Sequence, residues 1–189
     1  MNTRNALLNA AEHAARSRGF DAFSYADLSR EVGIRKASIH HHFPAKADLA
    51  LALIRRYRVN FAHLLASIRT ENDTAGDRLR AFLTTYREAL SGGDTVCLCV
   101  AFSTGRDSFK DTVLDELNGF HRDCIAWLEE TFSRALQDNT VKNAGVPDVE
   151  AKACMALVEG AQLLARAAND THPFDDATAA LKNRLTGQD

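Results

Sequence analysis

The chain has 189 residues, 46% hydrophobic and 25% charged, with a formal net charge of −2. That balance describes a globular protein able to bury a real core and excludes a disordered chain. No apolar run reaches the ~18 residues of a membrane span, Glu12, His13 and Arg16 interrupt any N-terminal signal core, and four scattered cysteines (97, 99, 124 and 154) suit a reducing compartment. A cytoplasmic protein with no membrane partner is expected. The charge is split: residues 1–60 carry ten Lys/Arg against five Asp/Glu, a net +5, and the rest of the chain carries −7. A basic end on an acidic body is the asymmetry of a chain whose one end meets a polyanion.

Only three prolines occur (44, 147 and 173), and apolar residues recur every three or four positions. The pattern predicts an all-α fold of about nine helices. Leu7, Leu8, Ala11 and Ala15 make one face of a first helix that ends at Arg18-Gly19. Ser24 with Asp27 three residues on forms a capping box for a second helix, whose buried face is Tyr25, Leu28 and Val32. Gly33 breaks it, and a third helix runs from about Lys36 to His42, where Phe43-Pro44 stops it. A long fourth helix follows, from about Lys46 to Arg69, with Ala50, Ile54, Tyr57, Phe61, Leu64 and Ile68 as an inward stripe and Leu49 and Leu53 facing the first three helices. One helix then serves two cores, which predicts a head over residues 1–54 and a body over 55–189.

The body continues with Thr74–Leu90, a break at Ser91-Gly92-Gly93, a short helix over Thr95–Thr104 capped by Asp94, and a long helix from about Lys110 to Asn139. The last two helices open on Pro147 and Pro173, with Asp148, Glu150, Asp175 and Asp176 complementing their dipoles. The first of these is apolar nearly all round, with small residues at Ala156, Gly160 and Ala161 that allow a close helix crossing; we expect it and the final helix to form a dimer interface. Glu159 and Gln162 stand out there as polar residues, either ligand contacts or dimer-facing groups.

The stretch VGIRKASIHHHFPAKADLALAL, from Val32 to Leu53, carries the chemistry. Two short helices joined by a glycine turn read as a helix-turn-helix with the second as reader. Arg35 and Lys36 stand at the start of that reader, Ala37 and Ser38 are small enough for close approach, and Ile39 and Phe43 point inward. His40 and His41 fall on the exposed side, and Lys46 adds a cation at the rim. Three consecutive histidines make a poor metal site, because neighbours on a helix lie ~100° apart. No nucleophile has a base at recognisable spacing and no phosphate-binding glycine loop occurs, so no catalytic residue, cofactor or metal is assigned and no enzyme is expected.

On Ser24, Gly33, Ile34, Lys36, Ser38, Ile39, His42, Phe43, Lys46 and Leu49 the sequence resembles the TetR family of repressors. It departs from that pattern at Arg35, Ala37 and His40, where the family has a small residue, a glycine and a tyrosine. The resemblance implies a homodimer on a palindromic duplex operator, with Ser24, Arg35, Lys36, Ala37, Ser38, His40, His41 and Lys46 toward the DNA. It also implies release by a small apolar effector, for which Tyr57, Phe61, Phe82, Tyr86, Phe102, Phe120, Trp127 and Met155 are the candidate lining; each is equally a candidate core residue.

Some members of that family sense oxidants or electrophiles through cysteine, which turns attention to GDTVCLCVAFS. A helix capped by Asp94 would hold Cys97 in its first turn, where unpaired N–H groups favour the thiolate, although the Asp94 carboxylate opposes it. At helical spacing Cys97 and Cys99 point ~200° apart and do not pair without unwinding. The alternative is a small buried hydrophobe among Val96, Leu98, Val100 and Phe102.

Overall fold

A computed structural model describes residues 3–186. Among the described residues nine α-helices follow one another: α1 Thr3–Arg18, α2 Tyr25–Val32, α3 Lys36–His42, α4 Lys46–Glu71, α5 Ala75–Glu88, α6 Leu98–Thr104, α7 Asp111–Asp138, α8 Pro147–Ala168 and α9 His172–Lys182. The all-α expectation holds, and the local signals explain most helix ends. Ser24 Oγ accepts the Ala26 N–H at 3.2 Å, and the Asp27 carboxylate accepts the Ser24 N–H at 2.8 Å, which satisfies donors the first turn of α2 would otherwise orphan. Gly33 closes α2 with φ 73° and ψ 31°, the left-handed conformation that a residue without Cβ adopts at low cost.

The chain packs as two compact units: residues up to Val59 with Thr95–Phe120, and Asn60–Asp94 with the residues from His121 on. The first unit buries Leu7, Leu8, Leu28, Ile39, Phe43, Leu49 and Leu53 among α1, α2, α3 and the start of α4. It also needs α6. Arg16 Nε donates to the Val96 carbonyl at 2.8 Å, and the Val96 N–H donates to the Arg16 carbonyl at 3.1 Å. Phe20 meets Phe23 and Phe102 edge-on, both with centroids 5.3 Å apart, and Phe102 stacks on Phe109 at 4.4 Å. The packing units therefore differ from the sequence division at 54/55: residues 95–120 complete the core around Phe20 and the end of α1.

In the second unit Phe82 stacks on Trp127 with centroids 5.6 Å apart and meets Tyr86 at 4.9 Å, and Phe61 meets Tyr86 edge-on at 5.9 Å. Trp127 Nε1 donates to the Leu65 carbonyl at 3.1 Å. Leu65, not Leu64, continues the inward stripe of α4: the step of four from Phe61 places Leu65 in the core and leaves Leu64 exposed.

Asp175, at the start of α9, receives Arg87 Nη2 at 2.7 Å and Lys182 Nζ at 3.0 Å, and hydrogen bonding to Arg87 is the main force holding its carboxyl down at about 2. A carboxyl lowered on folding adds stability that is full above its unfolded value of ~3.9 and fades as pH falls through the folded value. Asp175→Asn is expected to cost about 1 kcal/mol at neutral pH, since the group is partly solvated. It should also flatten the loss of stability between about pH 4 and pH 2, as read by urea unfolding across that range.

Candidate nucleic-acid interface

The reader helix α3 is anchored from one side. Ile39 is fully buried and Phe43 nearly so, each side chain contributing about 1.5–3 kcal/mol, and the Tyr25 hydroxyl donates to the Phe43 carbonyl at 2.9 Å. Burial, helped by the nearby Asp48 charge, pushes the Tyr25 phenol up to about 12, so it stays a donor. Tyr25 was legible only as a buried face; its role in fixing the end of α3 was not. With Ile39 turned inward, Arg35, Lys36, Ala37, Ser38, His40 and His41 are all exposed. Arg35 is the N-cap of α3, in extended backbone with no side chain capping the helix.

The remaining members are more constrained. Ser24 is exposed, but its hydroxyl donates to Asp27 at 2.7 Å within the cap. His40 Nδ1 lies 3.2 Å from the Pro44 carbonyl and so carries its proton there, leaving Nε2 as the other ring nitrogen. Lys46 is half-buried, its ammonium 4.8 Å from the ring centroids of both Phe20 and Phe23. Desolvation lowers its pKa despite Asp21 and Asp27. A cation–π seat of this kind fixes the ammonium beside the reader but holds it closer to the protein than a freely reaching lysine.

The short helix begins later than the sequence suggested. Gly92 and Gly93 both adopt positive φ, at 76° and 109°, and Asp94 closes their turn. Thr95–Cys97 are outside any helix, so Cys97 is the N-cap of α6 and Asp94 is not. Cys97 has ψ 140°, and this extended backbone voids the ~200° count: the Cys99 thiol hydrogen-bonds the Cys97 sulfur. The Tyr57 hydroxyl also donates to Cys97 Sγ, at 3.2 Å. Burial pushes the Cys97 thiol up, but the bonds from Cys99, Tyr57 and the backbone N–H groups of Cys99 and Val100 outweigh it and bring the thiol down to about 7. Burial holds Tyr57 well above its ordinary value, so the phenol remains the donor. Cys154 shows the contrast: burial, aided by Glu150, pushes it up to about 12.

The eight candidate lining residues are divided between the two packing units. Phe61, Phe82, Tyr86, Trp127 and Met155 pack in the second unit, where the Tyr86 hydroxyl sits 3.7 Å from Met155 Sδ. Tyr57, Phe102 and Phe120 belong to the first, with Tyr57 and Phe120 centroids 5.8 Å apart. Gln162 is fully buried and donates to the Tyr86 carbonyl at 2.6 Å, while Glu159 pairs with His121 at 3.0 Å. On α8, Ala156 and Gly160 are exposed beside Val149, Ala153, Leu163 and Leu164, whereas Ala161 is turned inward and buried. No helix among the described residues is long and apolar enough to cross a membrane.

Residues 7–53 match the family model described as bacterial regulatory proteins, tetR family. A TetR-family transcriptional regulator from Agrobacterium tumefaciens has a similar structure, with a TM-score of 0.90, 30% identity and 98% of each chain covered. A TetR regulator from Legionella pneumophila gives 0.85, 26% identity and 98% of each chain. The HTH-type transcriptional repressor NemR of Escherichia coli K12 is 25% identical, over 96% of this chain and 92% of its own. With the reader helix, its anchor and the whole-length likeness in agreement, the chain belongs to the TetR family of transcriptional regulators.

Proposed function

We infer that the protein is a repressor that binds a palindromic duplex operator as a homodimer and leaves it when an effector binds. The observation that carries this reading is the exposed run Arg35-Lys36-Ala37-Ser38, held outward by the buried Ile39. NemR is itself named a transcriptional repressor, which favours repression here. Residues 1–54 act as the reading head and 55–189 as the effector and dimerisation part. The exposed face of α8 gives the dimer its contact, and two heads about one DNA turn apart read two half-sites. An effector need favour the released conformation by only ~1–3 kcal/mol.

Gel shift against the DNA flanking its own gene, at low ionic strength, tests the reading. Arg35→Ala is expected to weaken operator binding by roughly 1–3 kcal/mol and relax specificity at one base position. Lys36→Ala is expected to weaken all duplexes and reduce the salt slope by about one. Absence of salt-dependent binding to any duplex would sink the proposal.

A second reading of the signal is favoured by the Tyr57–Cys97 hydrogen bond. A thiol held near neutrality beside a fixed donor is a chemical input, and release then follows modification of Cys97 instead of occupancy of an apolar cavity.

A further inference from the structure

We propose that Cys97 and Cys99 form a reversible redox couple, in which Cys97 meets a peroxide and Cys99 resolves the product into a disulfide. The proposal rests on the thiol-input reading above and gives it a substrate class and a second residue.

Three observations lead to it. The sulfurs of Cys97 and Cys99 are already in hydrogen-bond contact, and the Tyr57 hydroxyl, 3.2 Å from Cys97 Sγ, favours negative charge there. Two residues apart, their Cα atoms lie within ~5.5–7 Å for any backbone, overlapping the ~4.4–6.8 Å that disulfides span. Cys97 stands outside α6, so pairing has to redraw only the link through Leu98 to Cys99.

The chemistry closes on itself. The Cys97 thiolate attacks one oxygen of the peroxide, the O–O bond breaks, a sulfenic acid forms and hydroxide leaves. The Cys99 thiol then attacks the sulfenic sulfur. The S–S bond forms, the S–O bond breaks, and hydroxide departs with the Cys99 proton as water. Overall, two thiols are oxidised and one hydrogen peroxide is reduced to two waters. Both cysteines are buried, so reagent enters by local opening of the segment before α6. A ring closed across one intervening residue is strained, and strained disulfides have the more oxidising potentials of reversible switches.

The couple also has an outlet toward the head. Val96 precedes Cys97 and exchanges two hydrogen bonds with Arg16 in the last turn of α1. Redrawing the backbone at Cys97 loosens that exchange, so the Val96 amide is expected to lose protection at least tenfold in hydrogen exchange of the oxidised protein.

The test uses the reduced full-length protein with a small molar excess of hydrogen peroxide, quenched with iodoacetamide and digested with trypsin. The peptide from Glu88 to Arg106 holds both residues and no other cysteine. We expect it unalkylated and lighter by two hydrogens, with dithiothreitol restoring two alkylation sites. In Cys99→Ser, dimedone should trap a sulfenic acid on Cys97. Tyr57→Phe should slow oxidation about tenfold, the worth of one hydrogen bond to a charged sulfur, and an unchanged rate would overturn the part given to Tyr57. Oxidised Cys97 beside an alkylated Cys99 would overturn the couple while leaving Cys97 as the input. Both residues fully alkylated after peroxide would overturn both. The wild-type peptide decides this whether or not a variant folds.

Discussion

Gly93→Ala is expected to destabilise the protein by about 3–5 kcal/mol, combining left-handed backbone strain with a backbone collision. Gly93 has φ 109°, and a Cβ there would lie 2.6 Å from the Asn169 carbonyl carbon and from the Asp170 nitrogen. Neither neighbour is a flexible side-chain end. Asn169 is the left-handed C-cap of α8 and the Asp170 N–H is bonded to the Ala165 carbonyl, so the turn that would have to move is fixed at both positions. Gly92, one residue earlier, also has positive φ but nothing within 4 Å of its would-be Cβ, so its alanine variant should cost only the strain, about 1–2 kcal/mol. Urea unfolding of the pair separates strain from collision. A Gly93→Ala loss no larger than that of Gly92→Ala would mean that the α8 turn yields freely.

Gly160→Leu is expected to convert the dimer to monomer at micromolar concentration and to reduce operator affinity by about 10²–10⁴-fold, the advantage two linked heads hold over one. A Cβ at Gly160 meets nothing within 4 Å, so the protomer has no reason to unfold. Gly160→Ala should even stabilise α8 within the protomer by up to ~1 kcal/mol, because glycine is a poor helix interior. The disruption comes from the proposed crossing, where a leucine pushes axes ~8 Å apart toward 10 Å. Light scattering and gel shift on the same sample check both halves. A dimer that survives Gly160→Leu with operator affinity intact would place the interface away from this face.

The reader and its surroundings were legible because their signals are local. Ser24 with Asp27, Gly33 and Phe43-Pro44 each act within four residues, and α2 and α3 end where those signals place them. The start of α6 was not legible for the same kind of reason. Asp94 is a good capping residue, but two consecutive glycines in positive φ consumed it in a turn of their own, and no sequence pattern announces which geometry a glycine pair takes. The choice of Leu65 over Leu64 depended on one extra residue in the step after Phe61, which both registers tolerate. The buried aromatics were readable as a class, but their partners were not: that Tyr57 belongs with Cys97, and Phe20 with Phe102 and Phe109, follows from contacts between residues 40, 82 and 89 positions apart in sequence. Arg16 carried no signal at all beyond its charge.

The bond between Arg16 and Val96 spans 80 residues, and it sets an order of events on the ribosome. At ~5–20 residues per second, α1 emerges about 4–16 s before the strand of chain that completes its last turn, and Phe20 waits slightly longer for Phe109. During that interval the nascent chain displays a basic helix-turn-helix whose Phe20 still lacks its contacts with Phe102 and Phe109. The proposed reading helix is thus synthesised early and finished late, so a ribosome stalled before residue 95 holds a polypeptide that carries the residues proposed to read the operator without their final support.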